Sequence, residues 1–364
     1  MTAEAALSND EIYSAVPIVE IDGQVNDMVQ SLFVGMDMSE SDHGMAAMEL
    51  RFFNTATVEQ QGNDFAFEFA DNDLLSIGKS LRVMAGDQND PQEIFHGTIT
   101  GIEMVVEQDQ QPVLIVLAED TLQKARMSRH TRLHSAGTVQ SIVQSVASDL
   151  GISAQVSGLN ESVDDQMQFN ESDLAFLRRM LHRFDADLQM VEDTLQVAPR
   201  TDIRRNEITL QLNSQLLSIK VCADLAHQVS HITFAGWDVA AGQEINVQNN
   251  ANADTGPGQG RTGSAILTQA IGERPEHVPH ISTQNQEEAQ ALVNACFSQR
   301  ARRFVRADAV SVGNPNLRVG SHVTLQGVGP RFENTYYVTE THHHYDTSNG
   351  YQTRFKAECS FLGA

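Results

Sequence analysis

LSIGKSLRVMAG at residues 75–86 and LRVGSHVTLQG at residues 317–327 share one pattern of alternating apolar residues around a turn glycine. Gly78 in the first stretch stands where Gly320 stands in the second, 242 residues later. Apolar alternation is typical of a β-strand with one buried face, and a glycine between two such runs indicates a turn.

A second pair of stretches follows the first in the same order. GTITGIE at residues 97–103 matches YYVTETH at residues 336–342, and Ile99 then corresponds to Val338, 239 residues later. Because two patterned stretches recur at a nearly fixed offset, the sequence predicts a duplicated β module. A chain that carries one module twice can convert a three-fold assembly into a ring with six similar positions.

Composition excludes several classes of function. The 364 residues are enough for two or three domains, and 41% of them are hydrophobic. The chain has 24 basic and 48 acidic residues, a net charge of −24, which argues against nucleic-acid binding and against adsorption to anionic membranes. Most of the surplus lies in residues 1–130, with 23 acidic and 6 basic residues. This negative charge either keeps the protein soluble and protects sheet edges from pairing, or it lines a channel wall to which acidic cargo does not bind.

The cysteines and the N-terminal residues indicate in which cellular compartment the protein is expected. Cys222, Cys296 and Cys359 are widely spaced and form no CxxC pair, so we expect buried thiols in a reducing compartment. Residues 1–13 have neither a basic region nor a long apolar stretch, so no signal peptide is predicted. No run approaches the roughly 18 apolar residues that span a bilayer, and no membrane anchoring is expected.

The order of patterns predicts an α+β, mainly β fold with two similar antiparallel β-barrel modules and helix-containing insertions. Seven apolar or alternating runs between residues 16 and 119 read as strands, with a turn at Gly62-Asn63, and the run at 113–118 is expected to be covered on both faces. The predicted domains are a first module at 1–130, a middle domain at 131–200, a β segment at 201–245, a flexible linker at 246–284, and a helix with the second module at 285–364.

Three helices are predicted from apolar spacing and capping residues. One spans residues 138–150 and stops at Gly151. A second begins at Asn170 as N-cap, with Asp173 in its first turn, and a third begins at Asn285.

No catalytic, metal or cofactor site is predicted. Gly258 and Gly263 have the spacing of a phosphate-binding loop, but Ser264 occupies the position of the required lysine. His342 and His344 share a strand face and could hold a metal only with a further ligand such as His322 or Asp346. Satisfied polar groups at a strand edge, or a pH-sensitive contact, are the alternatives for these histidines.

Several side chains are candidates for protein–protein contacts, although a solvated face is the alternative for the arginines among them. The candidates are Arg178, Arg179, Arg183, Arg302, Arg303, Trp237, His342 and His344.

Four stretches together resemble a known family. QFNESDLAFLRRM at 168–180 resembles the helix start of the phage late control D proteins, the baseplate hub of contractile tails, which are related to the hub region of VgrG proteins. ITFAGWD at 232–238, LRVGSHVTLQGVG at 317–329 and NGYQTRF at 349–355 are similar to later family segments in the same order. The resemblance covers roughly residues 15–360.

The resemblance implies a homotrimer whose six barrels form a ring, joining a six-fold inner tube to a three-fold central spike. The implied partners are a separate spike protein, since no spike repeats follow residue 364, an inner tube or tube-initiator protein, and other baseplate proteins. The implied location is the bacterial cytoplasm during assembly and then a phage tail or injection particle. The alternatives are a receptor- or carbohydrate-binding β module and a tail-associated cell-wall hydrolase.

Overall fold

A computed structural model describes residues 16–42, 44–58, 65–69, 73–87, 89–239, 241–249, 256–278, 283 and 285–363. Residues 1–13, for which no signal peptide is predicted, and the predicted turn at Gly62-Asn63 lie outside these residues. No helix in the described part of the chain is long and apolar enough to cross a membrane.

The described residues of the first module form nine strands and a short helix. They are β1 (Ile18–Ile21), β2 (Gln24–Val25), α1 (Asp27–Leu32), β3 (Phe33–Ser41), β4 (Ala47–Phe53), β5 (Ala56–Val58), β6 (Phe65–Phe67), β7 (Ser80–Gly86), β8 (Pro91–Val105) and β9 (Val113–Asp120). The helix α1 was not predicted, because its residues resemble a strand in apolar pattern. It forms because Asn26 accepts hydrogen bonds from the backbone N–H groups of Met28 and Val29.

The middle region combines three helices with small sheets. Its elements are α2 (Gln123–Met127), β10 (Arg129–His134), β11 (Gly137–Thr138), α3 (Val139–Asp149), β12 (Ser153–Val156), β13 (Ser162–Val163), β14 (Gln166–Ser172), α4 (Asp173–His182), β15 (Ala186–Val191) and β16 (Thr194–Pro199). The predicted helix after Thr138 is confirmed as α3, whose N-cap Thr138 accepts a hydrogen bond from the Ser141 N–H.

The second module and a side layer make up the rest of the described residues. The module has β17 (Glu207–Gln211), β18 (Leu216–Ala223), β21 (Arg261–Thr262), α5 (Gly263–Ala270), β23 (Val305–Val312), β24 (His322–Gln326), β25 (Thr335–Asp346), β26 (Gly350–Cys359) and β27 (Phe361–Leu362). The side layer has β19 (His231–Asp238), β20 (Gln243–Gln248), β22 (Pro275–His277) and α6 (Gln286–Arg302), which begins at the predicted N-cap Asn285.

One 13-stranded sheet runs through both modules. Its strand order is β18-β23-β26-β25-β3-β4-β9-β8-β7-β1-β2, with β24 paired to β25 and β17 paired to β24. The modules meet where β25 of the second pairs antiparallel with β3 of the first.

The pairing within the two modules confirms the predicted duplication. Leu81 pairs with Gly97 on β7 and β8, and the corresponding residues Val323 and Tyr336 pair on β24 and β25. Outside the regular pairs, the Gly78 N–H donates to the Ile99 carbonyl at 2.8 Å. The corresponding bond from Gly320 to Val338 measures 3.0 Å.

Two β-bulges recur at corresponding positions. The β8·β9 ladder shifts between Ile99 and Gly101, and the β25·β26 ladder shifts between Val338 and Glu340, again 239 residues later. The β3·β4 ladder shifts after Phe33, and the β18·β23 ladder shifts after Leu216. A bulge inserts one residue and bends its strand, so shared bulges give the two modules the same local curvature.

The outermost strands of the modules differ. β1 pairs antiparallel with β7, whereas β17 pairs parallel with β24. The duplicated unit is therefore the five-strand set β3, β4, β7, β8 and β9, matched by β18, β23, β24, β25 and β26 respectively.

Separate apolar clusters stabilise the regions. The first module packs around residues such as Met36, Leu50 and Val83, and the second around Val323, Tyr336 and Phe355. The middle region has its own cluster between α3 and α4, and α6 covers the β19·β20 hairpin.

The predicted start of the second helix is wrong by two residues. Ser172, not Asn170, is the N-cap of α4, and its hydroxyl accepts from the Ala175 N–H. Strand pairing explains the difference, since β14 pairs with β10 as far as Ser172. Asn170 lies within β14 with a φ of +48°, a conformation that asparagine tolerates better than most residues.

The expectation of buried thiols is wrong for Cys222, although Cys359 is buried. Cys222 is exposed because its side chain lies on the face of β18 opposite the partly buried Ile219 and Val221.

Two other expectations differ from the structure. The apolar run of β9 is covered on one face only, because Val116 is buried while Leu117 on the opposite face is 39% exposed. Part of the 246–284 segment is regular structure, since α5 and β22 lie within it, and Thr262 caps α5 by accepting from the Ala265 N–H. Residues 250–255 of that segment lie outside the described residues.

Candidate functional site

The junction between the modules is a buried strand pair. His343 and Tyr345 of β25 are buried, as are Met38 and Met36 of β3, with which they pair. The ladder runs over seven residue pairs, from Glu340 opposite Ser41 to Asp346 opposite Gly35. The junction thus makes one continuous sheet from two modules.

A buried carboxylate lies at one end of this junction. Glu40 of β3 accepts hydrogen bonds from Arg205 at 2.7 Å and from Arg318 at 2.8 Å. Burial alone would raise the pKa of Glu40, but the two guanidinium groups outweigh it and hold that pKa well below its usual range. Glu40 therefore stays charged and ties the first module to the segment before β17 and to the turn before β24.

A second ionic network joins all three regions. Arg302 at the end of α6 is buried and donates to Asp185 at 2.6 Å and to Glu358 at 2.9 Å. Arg200, which follows β16, pairs with Glu358 and with Asp42 of the first module. Removing one partner from such a network leaves a buried charge uncompensated, so these pairs fix how the regions pack.

An open pocket of about 380 Å³ lies over this network and collects four of the predicted interface arginines. Arg178 is half-buried, and burial lowers its pKa. Arg179 is exposed and donates to Glu171 at 2.6 Å, while Arg303 is exposed at the rim. The fourth, Arg302, is used within the chain as described above.

The remaining predicted arginine and the tryptophan lie elsewhere. Arg183 forms an ion pair at 2.7 Å with the buried Glu288 of α6, a contact between the middle region and the side layer. Trp237 is 59% exposed near the end of β19. Sequence reasoning had grouped these residues only by type, and the structure distributes them over several surfaces.

The three consecutive histidines alternate as predicted. His342 and His344 point to the face of β25 that lies away from the cores, and His343 points inward, where its Nδ1 lies 2.6 Å from the Tyr351 hydroxyl. Burial lowers the pKa of His343 to about 3. The residues that the structure describes contain no group of three or more His, Cys, Asp or Glu side chains arranged to hold a metal ion.

The face that carries His342 and His344 is polar across several strands, and we call it the polar face. Its charged residues pair across neighbouring strands, with Arg354 to Asp308, Lys356 to Glu340 and Arg51 to Asp37, each at 2.8 Å. His344 lies between Asp37 and Asp346; its partial burial opposes protonation, but the two carboxylates raise its pKa. Exposed pairs of this kind contribute little stability each, so the face is a solvated, self-neutralised surface.

Two sheet edges were missed by the sequence analysis. Among the residues described, β18 is the terminal strand of the sheet and forms a ladder with β23 only; a single bridge joins its first residue, Leu216, to Leu212. On β8, the partner β7 reaches only to Thr98, so the last residues of β8 have β9 on one side only among the residues described. Ile102, Met104 and Val106 at that edge are 39%, 44% and 61% exposed. Their alternation in the sequence was visible, but strand order is needed to show that no partner covers them.

The glycine-rich stretch with the spacing of a phosphate-binding loop packs against the sheet. Arg261 pairs with Leu362 in the β21·β27 ladder. A Cβ atom at Gly258 would lie 2.7 Å from the sulfur of Cys359. Close approach to a strand explains this glycine without a ligand.

A family model described as the Alg8 N-terminal domain matches residues 55–347. Among curated protein sequences, none matches the chain.

Solved structures of tail proteins are similar to this chain. A 43 kDa tail protein of prophage MuSo2 from Shewanella oneidensis has a TM-score of 0.67 at 12% identity, over 94% of this chain and 97% of that one. A tail protein from Neisseria meningitidis MC58 has a TM-score of 0.64 at 12% identity, over 94% and 95%.

The E. coli c3393 protein, described as a component of the type VI secretion system, has a TM-score of 0.60 at 11% identity, over 95% of this chain and 77% of that one. At these identities the likeness establishes the fold, which the chain shares with phage tail and secretion-system proteins.

Proposed function

The chain belongs to the family described as the Alg8 N-terminal domain, and from its fold we propose that it is the baseplate hub of a contractile tail or contractile injection system. In this proposal three copies form one ring, which joins a six-fold inner tube to a three-fold spike. The role is structural and involves no turnover. Its partners are further copies of the chain, a separate spike protein, a tube or tube-initiator protein and other baseplate proteins.

The observation that carries the proposal is the repeated sheet. Five strands recur with the same pairing and with bulges at corresponding positions. Three copies would therefore present six nearly equivalent modules, whereas the middle region occurs once per chain and would appear three times. A chain with this organisation can meet six-fold and three-fold partners at once.

The two cores indicate which side of the sheet faces the channel of the ring. Tyr351 belongs to the core of the first module and Phe355 to that of the second, and both project from the same face of β26. The outside of a ring has the larger circumference, so the bulky core side belongs there. The polar face then lines the channel, where its paired charges suit passage of cargo.

The test is the mass of the purified protein in solution. Sedimentation over a wide concentration range, alone and with the spike protein co-expressed, is expected to show a closed species of about 120 kDa, three times the 40.0 kDa of one chain. A species of one or two chains under both conditions would contradict the proposal. Release of soluble fragments from peptidoglycan by the purified protein would instead favour a hydrolase.

A further inference from the structure

We infer that β8 of one copy pairs with β18 of a second copy, in the register that the chain already uses where β25 meets β3. The inference rests on the proposed ring and names the contact that closes it. Its basis is the internal duplication. The junction β25·β3 inside one chain corresponds to a pairing of β8 with β18, and in the described residues these two strands lie at separate sheet edges and are not paired with each other.

The correspondence between the strands fixes which elements should meet. β25 matches β8, with Val338 at the position of Ile99, and β3 matches β18, with Phe33 at the position of Leu216. The in-chain junction β25·β3 therefore corresponds to a pairing of β8 with β18. Within one described chain these strands are not paired and lie seven positions apart in the sheet order. A second copy placed head to tail supplies the missing partner.

The register follows from the in-chain ladder. His342 pairs with Ser39 there, and the corresponding residues are Glu103 and Cys222. His344 pairs with Asp37, which corresponds to Val105 and Lys220. Val106 and Glu107 would extend β8 by two residues, as far as the counterpart of Asp346.

Burial at the two places supports this pairing. On the inward face of the in-chain junction, Thr341, His343 and Tyr345 are at most 7% exposed. Their counterparts Ile102, Met104 and Val106 are all apolar and 39% to 61% exposed, and in the predicted register they meet Ala223, Val221 and Ile219. Alternating apolar residues on an uncovered edge are unfavourable in water and favour strand addition.

Charge on the opposite face is complementary. Lys220 of β18 would stand directly opposite Val105, with Glu103 and Glu107 at the two diagonal positions. Both glutamates are exposed in the single chain. Opposite charges at diagonal positions stabilise an antiparallel pair, whereas a shift of one residue would turn the apolar set to the wrong face.

A single substitution tests the register, because β18 already carries the exposed Cys222. Directly opposite residues of an antiparallel pair have Cα atoms roughly 4.5–5.5 Å apart, within the range that a disulfide bridges. Mild oxidation of Glu103→Cys is expected to give covalent dimers and closed trimers on a denaturing gel. A digest should then contain a disulfide-linked peptide that joins position 103 to Cys222.

Two controls accompany the cross-linking variant. The matched control is Glu107→Cys, four residues along the same face, which should give no such cross-link. Adding Cys222→Ser to Glu103→Cys should abolish the cross-link, because the natural thiol on β18 is then absent.

A second pair of variants tests the apolar contact without relying on oxidation. Met104→Lys is expected to convert the trimer to a 40.0 kDa species, with an unchanged circular dichroism spectrum. Met127→Lys changes a methionine that is 72% exposed away from the edge and should leave the trimer intact.

The outcomes separate this inference from the proposed function. A trimer whose Glu103→Cys variant does not cross-link and whose Met104→Lys variant stays trimeric would overturn the edge pairing and leave the hub role standing. Cross-linked chains of unlimited length, with no closed trimer, would uphold the pairing and overturn the ring.

Discussion

Glu40 shows how much of the module junction depends on single side chains. It is buried, and it is the shared partner of Arg205 and Arg318, which come from separate segments of the chain. Its position in the sequence gave no signal of this, because it is one of 48 acidic residues. Only the fold brings its two cationic partners together.

Glu40→Gln should therefore destabilise the protein strongly. The change leaves two buried guanidinium groups without a counter-charge, and we expect a loss of about 3–5 kcal/mol in the free energy of unfolding. Denaturant titration measures it. Asp308→Asn, which breaks the exposed pair with Arg354, is the matched control and should cost under about 1 kcal/mol. Equal effects of the two variants would contradict the assigned role of Glu40.

The advantage of the wild type over Glu40→Gln should also depend on pH. The folded-state pKa of Glu40 is lowered by its arginines, so its stabilising contribution is present above the unfolded pKa of about 4.3 and is lost as the pH falls below that value. Repeating the titration at acidic pH checks this. A difference that stays constant down to pH values well below about 4 would contradict it.

Asp187 should show the opposite dependence. It is buried beside the Tyr337 hydroxyl, and burial raises its pKa to about 7. Between the unfolded pKa of about 3.9 and the folded value, the folded chain holds a proton that the unfolded chain releases, so wild-type stability falls as the pH rises. The Asp187→Asn variant does not lose stability in this way, because the asparagine side chain does not titrate. Its stability relative to wild type should rise by up to about 1.4 kcal/mol per pH unit over that interval and level off above it. A constant difference across the interval would show that Asp187 is ionised in the fold.

At the scale of elements, the two turn glycines offer a direct comparison between the modules. Gly78 and Gly320 have φ values of +94° and +83° and donate equivalent hydrogen bonds. A Cβ atom at Gly78 meets nothing within 4 Å, whereas at Gly320 it would lie 2.8 Å from a methyl group of Ile203. The same turn is therefore open in one module and covered in the other.

Gly320→Ala is expected to cost more stability than Gly78→Ala. Both substitutions force alanine into the left-handed region, at a cost of about 1–2 kcal/mol in stability. Only Gly320→Ala also adds a steric clash. Thermal melting of the two variants measures the difference. If Gly78→Ala is the more damaging, the environments of the two turns are not as described.

Local sequence predicted elements well where the determining contacts are local. Thr138 and Asn285 cap their helices as predicted, because a side chain and N–H groups two or three residues away suffice. The start of α4 was misplaced because pairing between β10 and β14, about 40 residues apart, carries the strand past Asn170. Helix α1 was missed because its apolar spacing is also that of a strand, and the Asn26 cap decides between the two.

At the scale of the molecule, the duplication could be predicted from the sequence, but the uncovered sheet edges at β8 and β18 could not. Ile99 and Val338 mark the repeat through their offset alone, and the ladders confirm it. Which strands remain uncovered depends on strand order over the whole sheet, and no local pattern contains that information. The predicted contact residues were for the same reason chosen by type, while Met104 and Val221 were overlooked.

Electron microscopy of the purified assembly should show six-fold symmetry and three-fold symmetry at different distances from the ring axis. The module ring is expected to show a dominant six-fold component, because each chain contributes two similar modules. The middle region and the α6 layer occur once per chain and should show three-fold symmetry only. Averages without any six-fold component would mean that the modules are not arranged as one ring.

In the proposed ring, the strand pair β25·β3 would be one of two kinds of joint between modules. Three of the six joints would lie within a polypeptide and could not dissociate, whereas the other three could open. A ring built from six separate copies would carry every mutation six times, so a change suited to one neighbour would be imposed on all. In the proposed ring the two modules of a chain could change independently, so alternate positions around the ring could bind different neighbours while the ring stays closed.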